Sequence, residues 1–197
     1  MRKNKPMRNR KGSAGYIRRQ KTRMIEKTVL EFGIVIALLV LGITQTGDRM
    51  NLLTIVAVLG CLPASKALVG VIMLLAHRSI ARDKATEIDE KASLLTRVYD
   101  LVFTSEKKIM PVECIVISGN TICGYASGKK VDTAEIAKHL KQYLHANQFT
   151  KVSIKIFDDY IAFITRAEGM NNIVSVEKTD TKKQEESIRN LLLNLSL

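Results

Sequence analysis

The sequence predicts an α+β soluble domain attached to a two-helix transmembrane hairpin. Two long apolar runs, separated by only a short polar loop, lie within the first 77 residues. The later part of the chain alternates between β-branched runs and amphipathic stretches, which is typical of mixed α and β structure. Charge is also uneven, because the segment before the first apolar run is strongly basic and the region after the second is nearly neutral.

A basic tail, residues 1–28, precedes the apolar runs. It holds eleven Lys or Arg side chains and a single acid, Glu26, in a chain whose formal net charge is +12. High charge combined with little hydrophobicity predicts that the tail is largely disordered, at least through Gly15. From Tyr16 onward the pattern is compatible with a helix that continues into the first apolar run.

Three roles are open for the basic tail: holding the N-terminus in the cytoplasm, binding anionic lipid headgroups, or neutralising nucleic-acid phosphates. Because the tail adjoins an apolar run, we expect the first two, and we do not expect nucleic acid as a partner. The side chains expected to contact headgroups lie nearest that run and are Arg18, Arg19, Lys21, Arg23 and Lys27.

The apolar runs, about residues 29–46 and 52–76, are predicted to be membrane-spanning helices. A helix that crosses the hydrocarbon core of a bilayer needs about 20 apolar residues. Neither run has a polar face at the helical period, which argues against a buried helical hairpin in a soluble protein. A cleaved signal peptide is a second alternative, but another span follows at once, so we favour an uncleaved anchor.

The distribution of Lys and Arg predicts the orientation of the hairpin. The connecting loop has one Arg and one Asp, whereas basic residues are abundant before the first span and return after the second, from Arg78. The positive-inside rule therefore places both termini in the cytoplasm of a multi-pass cell-membrane protein. The predicted division is a tail over 1–28, a hairpin over 29–77 and a cytoplasmic domain over 78–197.

Two kinds of contact are candidates for holding the hairpin together. Glu31 and Lys66 lie at equal depth if the loop turns between residues 48 and 49, so they are a candidate membrane ion pair. The alternative is close packing of small residues, for which the candidates are Gly33, Ala37, Gly60 and Ala64. On straight helices the two contacts lie about 160° apart, so they do not share one interface unless Pro63 bends the second helix.

The soluble domain is predicted to have the element order α-β-ββ-α-ββ-α, in a mostly antiparallel sheet with covering helices. An amphipathic helix runs to about Arg97, and a strand follows at 99–105. A hairpin over 112–127 turns at Gly119–Asn120, and its first strand is apolar on both faces, which favours a central position in the sheet.

The second half of the domain is predicted to begin with a capped helix. Asp132 and Glu135 form a D-x-x-E variant of the capping box at its start. A second hairpin over 151–166 is predicted to turn at Asp158–Asp159, and a final helix spans about 181–195.

Cysteine and histidine spacing indicates no metal or cofactor site. The three cysteines, Cys61, Cys114 and Cys123, form no C-x-x-C pair and are expected to be reduced and unreactive. His139 and His145 lie six residues apart, which matches no zinc pattern. We therefore expect neither a metal nor a cofactor.

One arrangement of acids resembles a known nuclease core. Asp100 is followed by a hairpin with Glu113 on a central strand and then by a helix, over Tyr99–Asn147. This order is similar to the PD-(D/E)XK nuclease core, especially its nuclease-related domain branch. The resemblance implies that Asp100 and Glu113 are the matching metal ligands. The family carries lysine two residues after the second acid, where this chain has Ile115, so the resemblance implies a degenerate, inactive fold.

Two functions follow as hypotheses. The first is a membrane-anchored interaction or scaffold domain that binds a cytosolic protein or another copy of itself, without enzymatic activity. The second is a protein with a degenerate nuclease fold. A pocket that gathers Asp100, Glu113 and other polar groups favours the second hypothesis, whereas a flat surface there favours the first.

Overall fold

The computed structural model describes residues 11–46, 52–75, 79–104, 108–128, 131–177 and 181–196. The chain forms two compact units. One consists of Met1–Tyr16 together with Arg78–Leu197, and the other of Ile17–His77. Over the described residues the fold is α+β, with a four-stranded mixed sheet and six helices, two of which are apolar enough to span a membrane.

The helical unit contains α1 (Tyr16–Thr46) and α2 (Leu52–Leu75), and α2 continues through Pro63. Buried positions recur every seven residues on both helices, at Thr28, Val35 and Gly42 and at Ala57, Ala64 and Val71. A seven-residue spacing keeps one stripe of each helix facing its partner, as in a left-handed helix pair. The remaining surface is dominated by exposed aliphatic side chains.

Contacts between α1 and α2 define an antiparallel register. A Cβ added at Gly60 would lie 3.2 Å from Val35 Cγ2, and one at Gly70 would lie 3.0 Å from Met24 Cε. Each pair of neighbours has residue numbers that sum to about 95 (60 with 35, and 70 with 24). The glycines therefore let the backbones approach closely along the buried stripe.

The other unit carries the sheet and four helices. In chain order these are α3 (Arg82–Lys91), β1 (Thr96–Thr104), β2 (Ile109–Ser118), β3 (Thr121–Tyr125), α4 (Thr133–Ala146), β4 (Ser153–Phe157), α5 (Tyr160–Glu177) and α6 (Lys182–Leu195). The sheet order is β1-β2-β3-β4, with antiparallel β1-β2 and β2-β3 pairs. Strand β4 is parallel to β3 because α4 provides the crossover.

Helices cover both faces of this sheet. Residues of β1 and β2 such as Leu101 and Ile117 pack with Leu140 of α4 and Ile188 of α6. A second cluster lies on the opposite face, where α3 and α5 pack over Cys114 and its neighbours. The central position predicted for the strand that follows residue 111 is confirmed, because β2 has a strand on either side.

Two local predictions are confirmed by the backbone. The β2–β3 hairpin turns at Gly119–Asn120, with a positive φ of 52° at Gly119 that suits the first position of a type II′ turn. Asp132 caps α4, because its carboxylate accepts a hydrogen bond from the backbone N–H of Glu135 at 3.0 Å.

The predicted second hairpin is wrong, since the chain enters α5 after β4 instead of turning into another strand. Asp159 is the physical reason. Its carboxylate accepts a 2.9 Å hydrogen bond from the N–H of Ala162, which satisfies a free amide at the start of a helix. The buried residues of α5, Phe163, Ile164, Ala167 and Met170, follow the helical period.

The first helix of the domain, α3, ends at Lys91 and not near Arg97 as predicted. Arg97 Nη1 donates a 2.5 Å hydrogen bond to the carbonyl of Ala92, which accepts at the C-terminal end of the helix. The apolar residues after it belong to a turn and to β1, where Val98 is fully buried.

Residues 11–15 fold against the sheet, in contrast to the expected disorder through Gly15. The carbonyl of Gly12 accepts a 2.9 Å hydrogen bond from the N–H of Tyr99 on β1, and Lys11 Nζ donates to the carbonyl of Ser196. Gly12 has φ of +84°, a conformation that favours glycine. The rest of the predicted disordered segment, residues 1–10, lies outside the described residues.

Candidate functional site

The two candidate acids occupy corresponding positions on neighbouring strands. In the antiparallel register of β1 and β2, Tyr99 pairs with Cys114 and Leu101 pairs with Val112. Asp100 and Glu113 each lie between these two pairs, on β1 and on β2. The resemblance to a nuclease core predicted two nearby acids, and the register brings these two residues together.

Side-chain alternation breaks in both strands at this pair. In a regular strand, residues three apart face opposite sides of the sheet. Here Val98 and Leu101 lie in the same hydrophobic cluster, and so do Val112 and Ile115. Asp100 has a φ of +55°, in the left-handed region where Asp is one of the few tolerated side chains. Both strands thus change face together, and their register is preserved.

The carboxylates of both acids are engaged in the fold. Asp100 is 5% exposed and accepts hydrogen bonds from Ser79 Oγ at 2.6 Å and from the N–H of Ile80 at 3.0 Å. Glu113 accepts a hydrogen bond from the Ser127 hydroxyl. Asp100 thus fastens the segment that leads into α3, and a metal ion at this position would have to compete with those two donors.

The position that corresponds to the family lysine lies in the core. Ile115 is fully buried in the cluster beneath α4 and α6, where an ammonium group would be desolvated. In the part of the chain that the structure describes, no group of three or more His, Cys, Asp or Glu side chains is placed to hold a metal ion. His139 is half-buried and His145 exposed on α4, whereas His77 lies outside the described residues.

A cavity of about 270 Å³ lies between the Gly119–Asn120 turn and the C-terminal half of α5. Its walls combine Arg166 with apolar side chains that include Met170 and Val174. Neither of the two candidate acids lines it. This cavity therefore does not gather the groups that the nuclease resemblance implies.

A cationic and aromatic cluster on the α3–α5 face was missed by sequence reasoning. Lys84 Nζ lies 5.0 Å from the ring centroid of Tyr125 and 4.6 Å from that of Tyr160, and it donates to the Tyr125 hydroxyl at 3.1 Å. The Tyr160 hydroxyl donates to Glu87 at 2.7 Å. Burial, followed by this hydrogen bond, raises the pKa of Tyr160, and the same bond lowers the pKa of Glu87. The cluster joins residues that are distant in sequence, so no local sequence pattern predicts it.

A buried carboxylate beneath the β2–β3 turn was also missed. Glu185 is 1% exposed and accepts four hydrogen bonds, from the hydroxyls of Thr96 and Thr181, the N–H of Gly119 and the ammonium of Lys182. Burial by itself raises the pKa of Glu185, but these donors outweigh it and hold the pKa below its ordinary value. Glu185 therefore joins α6 to the sheet as an anion.

The two thiols of the domain lie on adjacent strands. Cys114 on β2 is completely buried, and Cys123 on β3 is 1% exposed. Burial raises the pKa of both thiols, and Arg166 opposes that effect only in part at Cys123. Both groups are therefore protonated near neutral pH, in keeping with the expectation of unreactive cysteines.

Glu31 and Lys66, the two charged residues predicted to pair in the hairpin, differ in their exposure and in their partners. Glu31 Oε1 is 3.7 Å from Lys27 Nζ in the same helix, and Glu31 Oε2 is buried with no hydrogen-bond partner among the described residues. Lys66 is exposed on α2 and forms no ion pair with any described residue. An ion pair between Glu31 and Lys66 stays a prediction.

The small residues of α2 lie at the helix pair, whereas those of α1 face outward. Ala64 is fully buried, and Gly60 packs against Val35. Gly33 and Ala37 are exposed, and a Cβ added at Gly33 would meet nothing within 4 Å. Val35, between these two residues, occupies the place that the small-residue prediction gave to them.

The basic residues near the first span differ in their exposure. Arg18, Arg23 and Lys27 are exposed, and Arg19 is half-buried. Lys21 Nζ donates a 3.1 Å hydrogen bond to the last carbonyl of α2, which has no partner within its own helix. Lys21 thus links the N-terminal part of α1 to the C-terminal end of α2. Contact of the five basic side chains with lipid headgroups stays a prediction.

The fold therefore defines an α+β domain joined to two helices that are long and apolar enough to cross a membrane. Comparison with protein-family models, with curated proteins and with solved structures finds no match.

Proposed function

We propose that this protein is a membrane-anchored interaction module. In this proposal α1 and α2 cross the cell membrane as a hairpin, both termini are cytoplasmic, and the α+β domain binds a protein partner. Membrane insertion is supported by the aliphatic surface of the helix pair, since isoleucine, valine and leucine are exposed along both helices.

The sidedness is supported by residues that flank the hairpin. Gly12 precedes α1 and Tyr99 follows α2, yet the two are hydrogen-bonded within one compact unit. Segments that fold together occupy the same compartment, so the chain between them crosses the membrane an even number of times. Cleavage after α1 as a signal peptide would remove Gly12 from the domain, which argues for an uncleaved anchor.

The observation that carries the interaction role is the outer face of α5. Ile161 is 71% exposed, Ile173 is 50% exposed and Val176 is 80% exposed, on a helix whose opposite face is buried. Exposure of large aliphatic side chains to water is unfavourable by about 25 cal/mol per Å² of apolar surface. Burial against a partner recovers that free energy.

A degenerate nuclease fold remains the second candidate, and the corresponding positions of Asp100 and Glu113 between the Tyr99–Cys114 and Leu101–Val112 pairs favour it. The strained φ of Asp100 is the kind of feature found at active sites. The hydrogen bonds of Asp100 to Ser79 and Ile80 explain that strain without catalysis, so the interaction module is the better-supported function.

Sidedness is tested by labelling cysteine variants in sealed vesicles with a membrane-impermeant maleimide. We expect Asn4→Cys and Ser175→Cys to react from the cytoplasmic side, and Asn51→Cys, in the connecting loop, to react from the other side. The unchanged chain is the control, because it measures labelling of the three native cysteines. Reaction of Asn4→Cys and Ser175→Cys from opposite sides, or loss of the chain from carbonate-washed membranes, overturns the anchoring proposal.

The interaction role is tested with a photo-crosslinking amino acid placed at Val176 in the full-length protein. We expect a discrete adduct after irradiation of intact cells. The same amino acid at Gln142, an exposed position on α4, is the matched control and is expected to give none. Equal labelling at both positions, or no adduct at Val176, rejects α5 as the partner surface.

A further inference from the structure

Lys66 points away from the helix pair. Ala64 lies in the buried stripe of α2, and Lys66 is two residues further on, about 200° around the helix. Its side chain is exposed and forms no ion pair with any described residue. In the membrane proposed above, this ammonium group faces lipid and not α1.

The depth of Lys66 makes that exposure costly. A span of about 20 residues that begins at Leu52 ends near residue 71, so Lys66 lies about 8 Å inside the hydrocarbon. Side chains tilt toward the N-terminus of their helix. The N-terminus of α2 lies at the non-cytoplasmic loop, so Lys66 tilts away from the cytoplasmic headgroups.

Glu31 has a complementary deficiency. Its side chain is 26% exposed, and this exposed part is what a second copy can reach. Its Oε1 atom lies 3.7 Å from Lys27 Nζ, and its buried Oε2 atom has no hydrogen-bond partner among the described residues. Apart from Asp48 in the loop, Glu31 is the only acid in the sequence between residues 29 and 76. A carboxylate for Lys66 at this depth therefore has to come from Glu31 or from another chain.

The two charges lie at almost the same depth. In the antiparallel register, residue numbers at equal depth sum to about 95, so Glu31 is level with Ala64. Lys66 is two residues away, a displacement of about 3 Å along the helix. Rotation about the membrane normal preserves depth, so a twofold axis along that normal can bring Lys66 of one copy beside Glu31 of another.

We propose that two copies of this chain associate in the membrane through reciprocal ion pairs between Glu31 of one copy and Lys66 of the other. The inference rests on the membrane insertion proposed above. Charge complementarity identifies the occupant of this face as a second copy, since within the described helix pair Lys66 forms no ion pair and Glu31, at matching depth, is incompletely paired. The sequence predicted that Glu31 and Lys66 pair within one chain; in this proposal the same two residues pair between two chains.

The decisive experiment uses full-length copies with two different tags, co-expressed and co-purified from mild detergent. One copy carries Glu31→Lys and the other carries Lys66→Glu. Each variant alone places like charges in both pairs, so we expect its self-association to be lost. Mixed together, the two variants restore opposite charges in both pairs, and we expect co-purification at the level of the unchanged chain.

Neutral variants guard against failure of the swapped copies to insert. Glu31→Gln and Lys66→Gln are each expected to weaken self-association about tenfold or more, because each removes both reciprocal pairs. The matched control is Ser65→Ala, next to Lys66, because the Ser65 hydroxyl bonds to the carbonyl of Cys61 in its own helix. Its self-association is expected to be unchanged.

The outcomes of these experiments separate this inference from the anchoring proposal. If the unchanged chain resists carbonate washing but its copies do not co-purify, or if the neutral variants associate as well as it does, the inference is overturned and the anchor stands. Rescue by both charge reversals in one chain, without rescue by mixing, assigns the ion pair to a single chain and also overturns it. Loss of the unchanged chain during washing overturns the anchor itself.

Discussion

The backbone N–H of Tyr99, in the first strand of the sheet, donates a 2.9 Å hydrogen bond to the carbonyl of Gly12, which precedes the first apolar helix. The contact joins two positions that are separated in sequence by both candidate membrane helices. A segment that composition assigns to a disordered tail is therefore part of the folded domain, and the domain depends on the chain on both sides of the hairpin.

Gly12→Val is expected to destabilise the domain by about 1–3 kcal/mol. At a φ of +84° a β-branched residue is strained, and a Cβ at this position would lie 2.7 Å from Leu193 Cδ2 and 2.9 Å from Val98 Cγ1. The measurement is denaturant-induced unfolding of the full-length protein in detergent. Gly169→Ala is the control and is expected to be neutral or mildly stabilising, because the site is helical and open. Equal stability of the Gly12→Val and unchanged chains would show that the docked segment is dispensable.

Asp100→Ala is expected to destabilise the domain by about 1–3 kcal/mol, because the buried N–H of Ile80 loses its acceptor. Asp100→Asn keeps an acceptor and tolerates the positive φ, so a smaller loss is expected. Unfolding curves for both variants test this structural role, and Glu113→Gln serves for comparison on the opposite strand. If Asp100→Ala matches the unchanged chain in stability without metal, and Mg²⁺ or Mn²⁺ stabilises the unchanged chain but not the variant, a metal-binding role is favoured instead.

Local sequence signals recovered much of the sheet and several helix boundaries. The Gly119–Asn120 turn and the Asp132 cap were predictable because the residues that satisfy the backbone there lie within three positions of one another. The Asp158–Asp159 pair was ambiguous, since aspartate serves in both turns and helix caps. The apolar run after it is too short to distinguish a strand from a buried helix by its period.

The buried carboxylate of Glu185 was not predictable, for a different reason. Glu185 receives hydrogen bonds from Gly119 and Thr96, which lie 66 and 89 residues away in sequence. No spacing rule connects such partners, and burial of the carboxylate depends on the whole fold. The contact of Gly12 with β1 was not predictable for the same reason. A single glycine in a basic segment is compatible with disorder until the strand it contacts is known.

Phe163→Ala and Ile161→Ala together test the helical assignment of α5. In the predicted strand these two residues, two apart, would share one face of the sheet, whereas in a helix they lie about 200° apart. Phe163 is fully buried and Ile161 is 71% exposed. We expect a loss of about 3–5 kcal/mol for Phe163→Ala and within about 0.5 kcal/mol of no change for Ile161→Ala. Similar losses of unfolding free energy for both variants would favour the predicted strand over the helix.

The ionised form of Glu185 is expected to make stability pH-dependent. Its pKa in the folded state lies below the ordinary value of 4.5, so its contribution is present at neutral pH and is lost as pH falls through the lowered folded pKa. Glu185→Gln is expected to cost about 1–3 kcal/mol at neutral pH, because four donors lose a charged acceptor. The difference from the unchanged chain should shrink on acidification below 4.5. Unfolding free energies measured across that range test this, with Glu186→Gln, exposed on the same helix, as the control. A difference that stays constant with pH would mean that Glu185 stabilises the fold by packing and not as an anion.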